Sequence, residues 1–105
     1  MEHDPPSIDP KFSSMKQYII DGKNFTGVET FYDEVCRVFS FPEYFGRNLD
    51  ALYDGLSDIG EPMEIIWKNS QKSKMEFSSD AAQPTFFAQV MYTMNEVYEL
   101  KLILE

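Results

Sequence analysis

The 105-residue chain predicts an α/β fold: a small, mainly parallel sheet with helices packed over it. Two observations carry that prediction. Short β-branched or aliphatic runs at Gln17 to Ile20, Met63 to Trp67 and Leu100 to Leu104 have the length and composition of strands. Between them lie segments whose apolar residues recur at helical spacing, so the strands are joined by helical crossovers, the connection that parallel pairing requires.

The elements follow in order. The first strand ends at the turn signal Asp21-Gly22. Thr26 to Glu29 has the spacing of a capping box, in which a Ser or Thr hydroxyl and a Glu three residues later satisfy each other's backbone donors. The helix after it repeats Val28, Phe31, Val35, Val38 and Phe39, and Phe41-Pro42 stops it. A second helix runs from about Leu49 to Ser57, with Asn48 as its cap. Leu49, Leu52 and Leu56 form its buried stripe, and Gly60 and Pro62 close it. After the Met63 strand, the polar stretch Lys68 to Gln83 is a loop with a short helix near Gln71 to Phe77. Pro84 then opens a helix at its first position, with Phe87, Val90, Met91 and Met94 facing inward. The Met and Phe residues at this spacing are core.

Composition narrows the function. Hydrophobic content of 43% with 15% aromatics fits one globular domain, large enough to fold without staples. The single cysteine, Cys36, forms no internal disulfide and sits among Val35, Val38 and Phe39 as a buried thiol, so a reducing, cytoplasmic setting is expected. A net charge of −9 argues against nucleic acid and anionic membrane as direct partners. No apolar run approaches the length of a membrane helix. Residues 1–14, with three prolines and the chain's one histidine, His3, read as a disordered leader ahead of a domain at 15–105. The domain stays acidic without them.

The most informative stretch is Tyr44-Phe45-Gly46-Arg47-Asn48-Leu49-Asp50-Ala51-Leu52-Tyr53-Asp54: a glycine turn, a helix cap, and a helix with carboxylates four residues apart. Asp58 extends the row, and positions 50, 54 and 58 share one helix face. Like charges at that spacing cost an isolated helix about 0.2–0.5 kcal/mol per pair. Asp50 in the first turn is repaid by the helix dipole, but Asp54 is not. Glu43, Glu61 and Glu64 add to the acidity, against the one basic residue Arg47, and Tyr44, Phe45 and Tyr53 supply rigid rings among the acids. An ordinary solvated acidic face is the plain alternative. Carboxylates interleaved with aromatics instead suit a cationic protein surface, with arginine the best-matched opposing side chain.

From Pro42 to Asp54 the chain closely resembles the barstar family, intracellular inhibitors of barnase-type ribonucleases. The likeness continues through Glu61-Pro62 to Trp67 and returns at the terminal strand, so it spans Lys16 to Leu104. It implies three parallel strands with four helices, and an inhibitor that lays its second helix and adjoining turn across the ribonuclease's cationic active site. Carried over residue by residue, Tyr44, Phe45 and Asn48 would make turn contacts, Asp50 would hold a basic group, and Asp54 would occupy the phosphate site. Leu49, Tyr53, Asp58 and Glu61 complete the expected partner-binding set, with Tyr53 standing where the family commonly has Trp. Other departures are Arg47 in place of an acid, Gly55 in place of a cysteine, and Asp58-Ile59 in place of Gly-Trp. The family's acid on the last helix falls near Tyr92 or Thr93, with Glu96 and Glu99 the nearest carboxylates.

The expectation is therefore a cytoplasmic, antitoxin-like ribonuclease inhibitor, monomeric when free, acting by protein–protein interaction. A barstar-like interaction domain with a non-ribonuclease partner is the alternative, kept open by Arg47, Asp58 and Ile59. An enzyme is not expected. Cys36 and His3 form no dyad, and Asp50 and Asp54 lie on a convex helix rather than in a cleft. No cofactor or metal is expected, since one helix face offers too few oxygen ligands.

Overall fold

The computed structural model describes residues 15–105; the expected leader at 1–14 lies outside the described residues. Among the described residues there are three strands and four α-helices. β1 is Lys16–Asp21, α1 Val28–Phe39, α2 Leu49–Ile59, β2 Met63–Lys68, α3 Ser70–Ser78, α4 Phe86–Asn95 and β3 Leu100–Leu104. The sheet order is β1-β2-β3 and both pairings are parallel, as expected. Lys16 pairs with Met63, and Met63 with Leu100.

Alternation along the strands explains which sheet face is covered. Ile20, Met63, Ile65 and Trp67 are buried, and Leu100 and Leu102 pack against them. On the other face Gln17 and Lys101 flank Glu64, whose carboxylate accepts from Gln17 Nε2 at 2.6 Å and meets Lys101 Nζ at 4.0 Å. The core is aromatic. Phe31 stacks on Trp67 with ring centroids 5.5 Å apart, and Phe25, Phe77 and Phe86 close around Phe31 at 5.4–5.7 Å. Trp67 Nε1 donates to Ser73 Oγ at 3.0 Å, so the buried indole has its partner.

The Asp21-Gly22 turn is a short 3₁₀ segment, Gly22–Asn24. Glu34, buried on α1, holds it: its carboxylate accepts from Asp21 N at 3.1 Å and Asn24 Nδ2 at 3.0 Å, with Arg37 Nη2 at 3.0 Å. Asp21 caps the segment by accepting from Lys23 N and also takes a bond from Asn69 Nδ2; these lower its pKa below the ordinary value of 3.8. Gly22 is obligatory here, because a Cβ would lie 2.5 Å from both Asn69 O and Ser73 Oγ.

Four local expectations are corrected. The box before α1 is built one residue late: Thr30 Oγ1 accepts from Thr26 N at 2.9 Å and Gly27 N at 3.1 Å. The helix starts at Val28 behind Gly27, which has no side chain to cap with, and Glu29 is left exposed. Pro84 is not the first residue of α4. Asp80 Oδ1 accepts from Ala82 N at 2.9 Å and builds a turn there, so the helix begins at Phe86. That start makes Phe86 (2% exposed) the innermost ring of α4, in line with Val90 and Met94, while Phe87 and Met91 flank the stripe half-buried. Finally, Cys36 is half-buried rather than buried, with desolvation pushing its thiol pKa up and Arg47 opposing that shift.

Candidate protein-binding surface

The roll of α2 is set by burial. Leu52 and Leu56 are fully enclosed, which turns Asp50, Asp54 and Asp58 outward on the exposed side. The ends are defined chemically. Asn48 Oδ1 accepts from Ala51 N at 2.8 Å, and Gly60 closes the helix at φ +68°, where a side chain is disfavoured. No Lys or Arg lies in α2 between these caps.

The turn before α2 is anchored from below. Phe45 N donates to Pro42 O at 2.9 Å and Asn48 N to Gly46 O at 2.7 Å. Phe39, Phe41 and Phe45 form a stack with centroid spacings of 5.5 and 4.8 Å, and Tyr32 lies 6.2 Å from Phe45. Phe41 presses directly on Gly55, where a Cβ would sit 2.7 Å from its ring. Phe45 therefore belongs partly to the packing, while Tyr44 stands at the tip, 89% exposed. Asn48 is exposed at the surface even while capping, and Leu49 is half-buried.

Arg47 is engaged by α1. Its guanidinium pairs with Asp33, donates to Glu29 O at 3.1 Å and lies 3.7 Å from the Glu29 carboxylate. The hydrogen bond it donates to Asp33 is the main reason its pKa is raised further. Arg47 also lines a depression with Asp50, while Asp54 and Asp58 are exposed on α2.

Tyr53 stands as a ridge between two depressions. One, about 220 Å³, is lined by Leu49, Asp50, Tyr53, Tyr92, Thr93 and Glu96, which brings the first acid of α2 together with Glu96 of α4. The other opens toward Glu61 and the connection from α4 to β3, where Glu99 sits at φ +59°. Glu96, the C-cap of α4, rather than Glu99 is therefore the carboxylate beside Asp50. Tyr92 (68% exposed) and Tyr98 (83% exposed) border these depressions; the sequence marked Tyr92 only through the family's acid position and did not mark Tyr98. The usable signal was that Tyr92 falls off the Val90–Met94 stripe, so its ring had to point outward.

Among the described residues, no group of three or more His, Cys, Asp or Glu is placed to hold a metal, and no helix is long and apolar enough to cross a membrane. The family model described as "Barstar (barnase inhibitor)" matches residues 15–100. The chain belongs to the barstar family. A protein of Bacillus subtilis (strain 168) named "Putative ribonuclease inhibitor YrdF" is 38% identical over 68 residues, covering 64% of this chain and 75% of the relative. The barstar family consists of inhibitors rather than enzymes, and a ribonuclease is the general partner it implies. Its small α/β fold, three parallel strands with four helices, is the one described here.

Proposed function

We propose that this barstar-family protein inhibits a barnase-type ribonuclease in the cytoplasm, as a free monomer that docks α2 and the preceding turn over the enzyme's cationic active site. The observation that carries this reading is the uncompensated carboxylate row. Asp50, Asp54 and Asp58 are all exposed on a helix with no basic residue, and Arg47, which precedes the helix, is paired with Asp33. Three like charges on one face oppose helix stability, and a partner's arginines and lysines would relieve that repulsion. Tyr44 and Tyr53 supply rigid aromatic area on either side, with Asn48, Leu49 and Phe45 shaping the turn and Glu61 at the far end.

Inhibition on this reading is steric and electrostatic. Asp54, at the middle of the row, takes the place of a substrate phosphate, and Asp50 holds a second basic group with Glu96 beside it. The test is inhibition and binding of barnase-type ribonucleases by the parent and by Asp54→Ala. Truncation of a central hot spot should cost about 2 kcal/mol or more in binding, while unfolding stability stays within about 0.5 kcal/mol because the side chain is exposed. Undiminished inhibition by Asp54→Ala would refute the assignment. The changes at Arg47, Asp58 and Ile59 favour a second reading, a non-ribonuclease partner; an Asp54-dependent partner without nuclease activity would establish it.

A further inference from the structure

The depression beyond Tyr53 lies outside the acid row and has a character of its own. It encloses about 320 Å³ between the C-terminal end of α2 and the α4–β3 connection. Its floor is apolar: Leu56, Met63 and Val97 line it and are all buried. Its walls are two aromatic rings, Tyr53 at 40% and Tyr98 at 83% exposure, and Glu61 is exposed at its rim.

The electrostatics are equally one-sided. α2 ends at this groove, and the free carbonyls of a last helical turn make a negative pole that ordinarily draws a Lys or Arg. The last turn of α2 carries no basic residue and holds Asp58 instead. The groove thus combines an apolar base, two exposed tyrosine rings and a helix end with no basic residue in its last turn. A lysine would answer the charge, but its compact ammonium gains less from flanking rings than a planar guanidinium does. Gly60 follows Asp54 by about 9 Å along the helix axis at 1.5 Å per residue, so the guest is distinct from the group meeting Asp54.

We infer that this groove is a specificity subsite that receives one arginine side chain of the partner, outside the contact made by the carboxylate row. The identity of that partner as a ribonuclease rests on the function proposed above; the groove's preference for arginine does not. Two measurements separate them. In the first, the isotope-labelled protein is titrated with N-acetyl-arginine amide and, in parallel, with the neutral near-isostere N-acetyl-citrulline amide. Amide shifts should concentrate at Ser57, Gly60, Glu61, Val97 and Tyr98 with the arginine probe only, and should vanish in Tyr98→Ala. Absence of shifts there, or equal shifts with citrulline, overturns the inference.

In the second, inhibition of a barnase-type ribonuclease is compared across variants. Tyr98→Ala should raise the inhibition constant about tenfold, the scale of one well-placed cation–aromatic contact, and Tyr98→Phe should restore it. An exposed ring is removed, so the fold is retained. If Asp54→Ala abolishes inhibition while Tyr98→Ala stays within twofold of the parent, the subsite falls and the inhibitor reading stands. If the parent inhibits no such ribonuclease, the partner reading falls and the arginine titration alone decides the groove.

Discussion

Gly55→Ala sets helix propensity against packing, and the structure says which wins. Gly55 lies inside α2, where alanine should gain about 0.5–1 kcal/mol from backbone entropy alone. Against that, the new Cβ would sit 2.7 Å from Phe41 Cζ and 2.9 Å from Cε1. Ordinary carbon contacts lie near 3.5–4.0 Å, so ring or helix must withdraw by about 1 Å. The ring is held between Phe39 and Phe45 at 5.5 and 4.8 Å, which prevents a simple slide. Overpacking of this kind costs about 1–3 kcal/mol, leaving a net loss of about 1 kcal/mol. Urea denaturation followed by circular dichroism measures it. In a Phe41→Leu background the clash is relieved, and the same substitution should become stabilising. Gly55→Ala more stable than the parent in both backgrounds would refute the packing argument.

Gly22→Ala should be costlier, about 2–4 kcal/mol by urea denaturation, because a backbone carbonyl at 2.5 Å cannot retreat and the Trp67–Ser73 hydrogen bond is disturbed with it. Arg47→Glu should speed association with a basic partner, the gain shrinking as salt is added in stopped-flow measurements; it should also lower the thermal midpoint, by setting a carboxylate beside Glu29 and Asp33. Tyr32 is pushed up to about 12 from 10.0, chiefly by burial and then by Glu29. Its neutral form is the one favoured in the native state, so this stabilisation is complete below pH 10 and is lost as pH rises toward 12. Tyr32→Phe should flatten that alkaline decline in a pH series of unfolding free energies.

The strands were legible because alternation and β-branching are local signals; Met63 to Trp67 and Leu100 to Leu104 read directly from composition. The second helix was legible through its caps, Asn48 and Gly60, and its three leucines. Misplaced boundaries had local competitors. Thr30 outbid Thr26 for the donors before α1, and the Asp80 turn moved the start of α4 past Pro84, which exchanged Phe87 for Phe86 at the core. The site was legible as an acid row and not as a surface. The partner of Arg47 is Asp33, 14 residues away, and the neighbour of Asp50 is Glu96 on another helix. No window along the chain contains such pairs. Phe41 rests on Gly55 from outside α2, a contact no local pattern announces.

Trp67 gives the fold an optical consequence. It is the chain's one tryptophan, fully enclosed, stacked on Phe31 and bonded to Ser73. Its emission should shift toward the red only when water reaches the core, which makes it a clean gauge of unfolding. The surface presented by the turn, α2 and α4 carries tyrosines and no indole, so complex formation should leave that emission band unmoved. A tryptophan placed at Tyr53, between the two depressions, would turn the same instrument from a thermometer of folding into a meter of docking.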